Sequence, residues 1–159
     1  MLFRSLTIVL GTVTLIGLSG YAKVVKSLTD DALAGVSACS KVEAEMLEMR
    51  GDMWRHVSSD DPKDSEHMGQ EIARLKGEIA SGMKEIQAAI YSDEEREINR
   101  KLDPALQRYY ALWEKTEVIS NAHKNEEAYK MFADATPIVT ELRTAIRAET
   151  DFNRNLGTK

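Results

Sequence analysis

Apolar residues recur along this chain at alternating spacings of three and four, the seam that packs helices into left-handed bundles. The first such run is Val25, Leu28, Ala32, Gly35, Cys39, Val42, Met46, Met49, Met53 and His56. The second is Met68, Ile72, Leu75, Ile79, Gly82, Ile86 and Ala89. The third is Ile98, Leu102, Ala105, Tyr109, Leu112, Thr116 and Ile119. The fourth runs Ala128, Met131, Ala135, Ile138, Leu142, Ala145, then Phe152 and Leu156. Flanking residues such as Leu47, Trp54, Met83, Phe132, Val139 and Ile146 widen each stripe, as a helix touching two neighbours requires. The pattern predicts four helices of about 30–35 residues, roughly 45–50 Å at 1.5 Å per residue.

The breaks carry their own chemistry. Asp61 is placed to cap the second helix, with Pro62 at its first position. Ser92-Asp93-Glu94-Glu95 matches a capping box, and Asn125 is a candidate cap for the last helix. Pro104 and Pro137 lie inside helical patterns; each removes a backbone donor and should bend its helix. Connections this short force neighbouring helices to run antiparallel. The fold class is therefore all-α, an up-down-up-down four-helix bundle, with the 58–63 and 121–125 connections at one end and 91–93 at the other.

Ahead of the bundle an uncharged stretch runs from Ser5 to Ala22 between Arg4 and Lys23. Its length is at the lower edge of a membrane span. Two readings compete: a cleaved signal peptide ending at Gly20-Tyr21-Ala22, or an uncleaved transmembrane helix. The helical pattern continues into Val24, Val25 and Leu28 without a breaker, which favours the anchor. The expected organisation is a cytoplasmic tail and transmembrane helix over 1–22 and an extracytoplasmic bundle over 23–159.

Composition narrows the function. The 159 residues are 43% hydrophobic and 30% charged, the profile of one folded domain. A net charge of −5 offers no basic face for nucleic acid. Cys39 is the one cysteine, so no intramolecular disulfide or CxxC site exists, and it is expected to be buried. No phosphate-binding, zinc-protease or nucleophile-elbow motif occurs, and there is no Glu-x-x-His for a di-iron bundle. His67, in Asp64-Ser65-Glu66-His67, is an isolated carboxylate–histidine pair, short of the four ligands a closed metal site needs. No catalytic residue, metal or cofactor is expected.

Aromatic residues concentrate toward the 58–63 end: Trp54, Tyr109, Tyr110, Trp113, Tyr129 and Phe132, with Arg50, Arg55 and Arg108 at similar heights. Aromatic walls with a few fixed charges suit a small-molecule pocket, and guanidinium forks suit carboxylate or phosphate. Thr136 precedes Pro137, which frees a carbonyl one turn earlier. Most of these residues also have a plain packing role. Tyr109 is on the seam, Trp54 and Phe132 flank it, and Arg50 and Arg55 diverge around their helix.

This layout resembles the four-helix-bundle sensory domain of bacterial methyl-accepting chemotaxis receptors. The matching features are the apolar Leu6–Leu18 run and the first helix through Glu48-Met49-Arg50. The Asp60-Asp61-Pro62 break, the Ser92-Asp93-Glu94-Glu95 start and the Asn125-Glu126-Glu127-Ala128 start before Pro137 follow in order. The resemblance implies an inner-membrane protein with its bundle in the periplasm. It implies a homodimer whose ligand, an anionic or aromatic small molecule or a periplasmic binding protein, docks at the distal end. Arginines of the first helix and polar groups early in the fourth often bind ligand in that family, which puts Arg50, Arg55 and Thr136 forward, with Trp54 beside them. It also implies a second span, a HAMP linker and a cytoplasmic signalling rod beyond Lys159. Histidine kinases use similar sensory bundles, and a membrane-anchored bundle that binds a protein partner is the other alternative.

Overall fold

The structure is a computed structural model that describes residues 32–156. The expected membrane span and its boundary with the bundle lie outside the described residues. Among the described residues no helix is long and apolar enough to cross a membrane.

Helix α1 covers 32–58, α2 Pro62–Ala89, α3 Asp93–Asn99, α4 Leu102–Asn121, α5 Asn125–Asp134 and α6 Thr136–Leu156. These make four rods, because α3 continues into α4 and α5 into α6 across short breaks. The breaks sit where the prolines predict. Pro104 cannot donate to the carbonyl of Arg100, and Pro137 cannot donate to that of Ala133, so α4 and α6 each start just ahead of their proline, at Leu102 and Thr136.

Cross-rod contacts give the topology. Lys41 pairs with Glu85, Glu48 with Arg74 and Arg55 with Asp64, so α1 and α2 run antiparallel. Lys76 of α2 faces Glu114 of α4, while Gly69 lies near Glu117. Glu95 bonds Asn153 and Arg108 bonds Glu141, which sets the third rod antiparallel to the fourth. Glu43 pairs with Arg147, and Gly35 touches Asn153, closing the square between α6 and α1. At the distal tip Asn125 Nδ2 donates to Ser59 O at 3.4 Å and Asp60 Oδ1 at 3.2 Å.

The caps hold with two corrections. Asp61 accepts from Lys63 N at 2.9 Å, with Pro62 opening α2. Ser92 accepts from Glu95 N at 3.1 Å, but Glu95 returns to the amide of Tyr91 rather than of Ser92. Asn125 does not cap α5. Lys124 occupies that position without a side-chain bond, and the Asn125 amide is used between the tip loops instead. Helix α4 ends in a Schellman motif: His123 N donates to Ser120 O, Lys124 N donates to Ile119 O, and His123 takes φ 57°.

The core follows the predicted stripe for α1 and α2, where Cys39, Val42, Met46, Met49, Met53, Met68, Ile72, Leu75, Ile79 and Ile86 are all buried. In the third and fourth rods Leu102, Ala105, Tyr109, Thr116, Ala128, Ala135, Leu142 and Ala145 are buried as predicted, and at the remaining steps a neighbouring residue goes inside. Trp113 is buried and Leu112 half-buried; Phe132 and Val139 replace Met131 and Ile138. The helical period of 3.6 lies between three and four, so a wide stripe admits either neighbour, and the space between the rods selects one. Toward the α2–α3 end the interior turns polar: Glu95, Asn99, Glu149, Thr150 and Asn153 are buried where Phe152 was expected.

Candidate functional site

Helix α6 is the element that builds the site. Its first turn contains Pro137, whose missing N–H leaves the Ala133 carbonyl without a helical donor. The Thr136 hydroxyl takes that carbonyl at 3.0 Å. Thr140 and Thr144 follow at one-turn steps, donating to Thr136 O at 2.9 Å and Thr140 O at 2.8 Å. Their hydroxyl protons are thus turned to the backbone, leaving oxygen lone pairs and methyls on the surface. Arg143 and Arg147 form a second ladder beside the threonines, one turn apart.

Arg50 of α1 meets these two ladders. Arg50, Thr136, Thr140, Arg143, Thr144 and Arg147, together with Val139, line a cleft of about 170 Å³ between α1 and α6. The Nε atoms of Arg50 and Arg143 are buried and bond to nothing. Neither residue takes part in the ion pairs formed among the described residues. Arg147 is held loosely by Glu43 at 3.8 Å. A buried guanidinium N–H without an acceptor is costly, and the cleft lining holds three guanidinium groups and no carboxylate. Its volume equals about five or six water molecules at roughly 30 Å³ each. That is room for a small carboxylate or oxyanion.

Of the residues singled out from sequence, Arg50 and Thr136 therefore share one cleft, and the other two stand elsewhere. Arg55 points to solvent, 60% exposed, and pairs with Asp52 at 3.5 Å and Asp64 at 3.7 Å. Trp54 packs edge-on against Phe132, 4.6 Å between ring centroids, and tilts against Tyr129 at 5.0 Å. Arg143, Arg147, Thr140 and Thr144 escaped sequence reasoning, although the four-residue spacing of both ladders was visible. The missing information was which face of α6 meets α1.

Two other concavities have different chemistry. A groove of about 910 Å³ between the third and fourth rods is mostly apolar, walled by Pro104, Pro137 and Ala145. On its rim Arg108 is paired with Glu141 and Arg100 with Glu97. A polar cleft of about 720 Å³ at the distal tip takes in His56, Glu66, Glu117 and His123. His56 and His123 share this cleft, and His56 Nδ1 is occupied by the Ser120 hydroxyl at 3.2 Å. Burial lowers the His56 pKa below its ordinary value, with Glu117 opposing. Among the described residues no group of three His, Cys, Asp or Glu side chains could hold a metal ion. Cys39 is buried, its thiol pushed up to about 12 by desolvation and then by the Glu149 charge, so it is no nucleophile.

Compared with known proteins, residues 1–159 match a family model described as a four helix bundle sensory module for signal transduction. No curated protein and no solved structure matches the chain.

Proposed function

The chain belongs to this family of four-helix-bundle sensory modules for signal transduction, and from that premise we propose that it is the periplasmic ligand-sensing part of a membrane chemoreceptor and that it senses a small anion in the α1–α6 cleft. The observation that carries this reading is the pair of buried, unpartnered Nε atoms of Arg50 and Arg143 on the two helices that close the bundle. An anion bridging them would satisfy both donors through charge-assisted hydrogen bonds. Because the two donors come from different helices, the bond strength depends on how α6 stands against α1. A ligand that binds one standing better than the other shifts the balance toward it, which is all that signalling through α6 requires.

The test is a thermal-shift and calorimetric screen of the full chain with small mono- and dicarboxylates, phosphate and sulfate, each beside its uncharged amide or ester. An anion at about 100 times its Kd should stabilise the bundle by about 2.7 kcal/mol. Arg143→Ala and Arg50→Ala should each abolish that gain while the bundle stays helical. Equal stabilisation by the uncharged analogues, or a gain unchanged in the double variant, would refute the reading.

A further inference from the structure

The α2–α3 end of the bundle buries two carboxyl groups against each other. Glu95 of α3 and Glu149 of α6 are both 0% exposed. Their oxygens are not equivalent. Glu95 accepts from the Tyr91 backbone N–H at 2.9 Å and from Asn153 Nδ2 at 3.3 Å. Among the described residues neither oxygen of Glu149 has a hydrogen-bond donor of good geometry, although the nearby Asn153 amide favours its charged form.

Among the described residues the surroundings supply no counter-charge. From α1 the pair is faced by the Cys39 thiol and, farther out, by the Glu43 carboxylate that Arg147 holds. At the start of α3, Tyr91 and Glu94 stand near Glu95. From α6 come Asn153 and Thr150, both uncharged. Among the described residues, α2 sends no titratable group to Glu149, and no lysine, arginine or histidine acts on it. Two ionised carboxylates cannot share so dry a contact without a cation. A proton resolves the conflict: on Glu149 it gives that residue a donor, and the donor's acceptor is Glu95.

We infer that Glu149 and Glu95 hold one proton between them, that this proton ties α6 to α3, and that its release in alkaline surroundings loosens the α3–α6 contact. The proton is then itself a ligand of the bundle, bound at the opposite end of α6 from Thr136 and independently of the arginine cleft.

The pH range follows from the cause. Burial, and next the Glu95 charge, raise the Glu149 pKa to about 7. In the unfolded chain a glutamate titrates near 4.3. The folded state thus binds the extra proton between these values. The associated stability is complete at pH values below the unfolded pKa and is lost as the pH rises through about 7. Salt-bridged surface carboxylates have the opposite sign.

The experiment is urea unfolding of the full chain in a mild detergent at pH 6 and pH 8, for the parent and for Glu149→Gln, which mimics the protonated acid. Taken relative to the variant, the parent's folded-to-unfolded ratio should fall about tenfold from pH 6 to pH 8. Infrared spectra should show a protonated-carboxyl band at pH 6 that Glu149→Gln removes. Glu95→Gln is the second variant should Glu149→Gln fail to fold: without the Glu95 charge the pH dependence should shrink, burial alone still favouring the protonated acid. Identical pH dependence in parent and variant, or no protonated-carboxyl band at pH 6, overturns the inference. Neither result bears on anion binding to Arg50 and Arg143.

Discussion

The amide of Asn153 lies flat on Gly35, so close that a Cβ on Gly35 would sit 2.5 Å from Asn153 Oδ1 and 2.6 Å from its Cγ. Two helices meet there through one missing side chain. Gly82 makes a similar approach to Val42, at 2.5 Å, between α2 and α1. In both places the glycine is on the seam where a larger apolar residue would be expected, and close approach explains the choice.

Gly35→Ala should therefore cost about 1–3 kcal/mol, the usual penalty of overpacking. Asn153 must move, and with it the hydrogen bond to Glu95. Urea unfolding measures the cost. Gly51→Ala is the control, since nothing lies within 4 Å of its would-be Cβ. That substitution should leave stability equal or slightly improved, because alanine is the better helix former. Equal costs at the two positions would contradict the packing described.

His123 pays for its place in the Schellman turn. Its φ of 57° is one that L-residues adopt at a cost of roughly 1–2 kcal/mol and glycine adopts freely. His123→Gly should raise stability by about 0.5–1 kcal/mol, after the greater entropy of glycine in the unfolded chain is subtracted. The thermal midpoint is the readout. A lower midpoint would mean that the imidazole contributes contacts at the tip that outweigh the strain.

His56 gives the bundle a second pH dependence, opposite in sign to that of Glu149. Its folded pKa is lowered by burial beside Trp113, 5.2 Å away edge-on. A histidine whose folded pKa lies below its unfolded value of about 6.5 contributes stability above that value, lost as the pH falls through the folded pKa. His56→Gln, an uncharged replacement able to bond Ser120, should be relatively more stable than the parent at pH 5 than at pH 7.5. Midpoints at the two pH values decide; a constant difference would show that His56 titrates normally.

Glu43 pairs with Arg147 at the α1–α6 cleft, where it would compete with the proposed anion. Removing its charge with Glu43→Gln should tighten binding of a small carboxylate several-fold, since a nearby negative charge opposes an incoming anion. Titration calorimetry at low and physiological salt measures this, and screening should shrink the gain at higher salt. Weaker binding in Glu43→Gln would mean that the glutamate positions Arg147 rather than competing for it.

Much of this was legible before any coordinates. The Met46-Met49-Met53 stripe lies in the core because its spacing matches the helical period on a face that contacts two neighbours. Asp61 caps and Pro62 opens α2 because local backbone chemistry does not wait for tertiary contacts. Asn125 shows the limit of such local reasoning. A cap residue is also a side-chain amide, and the neighbouring loop at Ser59 and Asp60 took it. Leu112 and Trp113 show another limit. Periodicity left two adjacent residues eligible for the interior, and the space between three rods decided between them.

The sequence by itself determined the number of rods, their antiparallel order, the proline breaks and the family, because each rests on periodicity, loop length and backbone donors that are local. Only the tertiary structure decided that Arg50 faces Arg143 and Arg147 across a cleft while Arg55 faces solvent. It alone placed Glu95 against Glu149, residues 54 positions apart along the chain whose charges conflict only once α3 and α6 pack. Helical rotation and the distance between rods set both arrangements. Five residues along α1, about 140° around the helix, separate an arginine with a buried, unpartnered Nε from a solvated one.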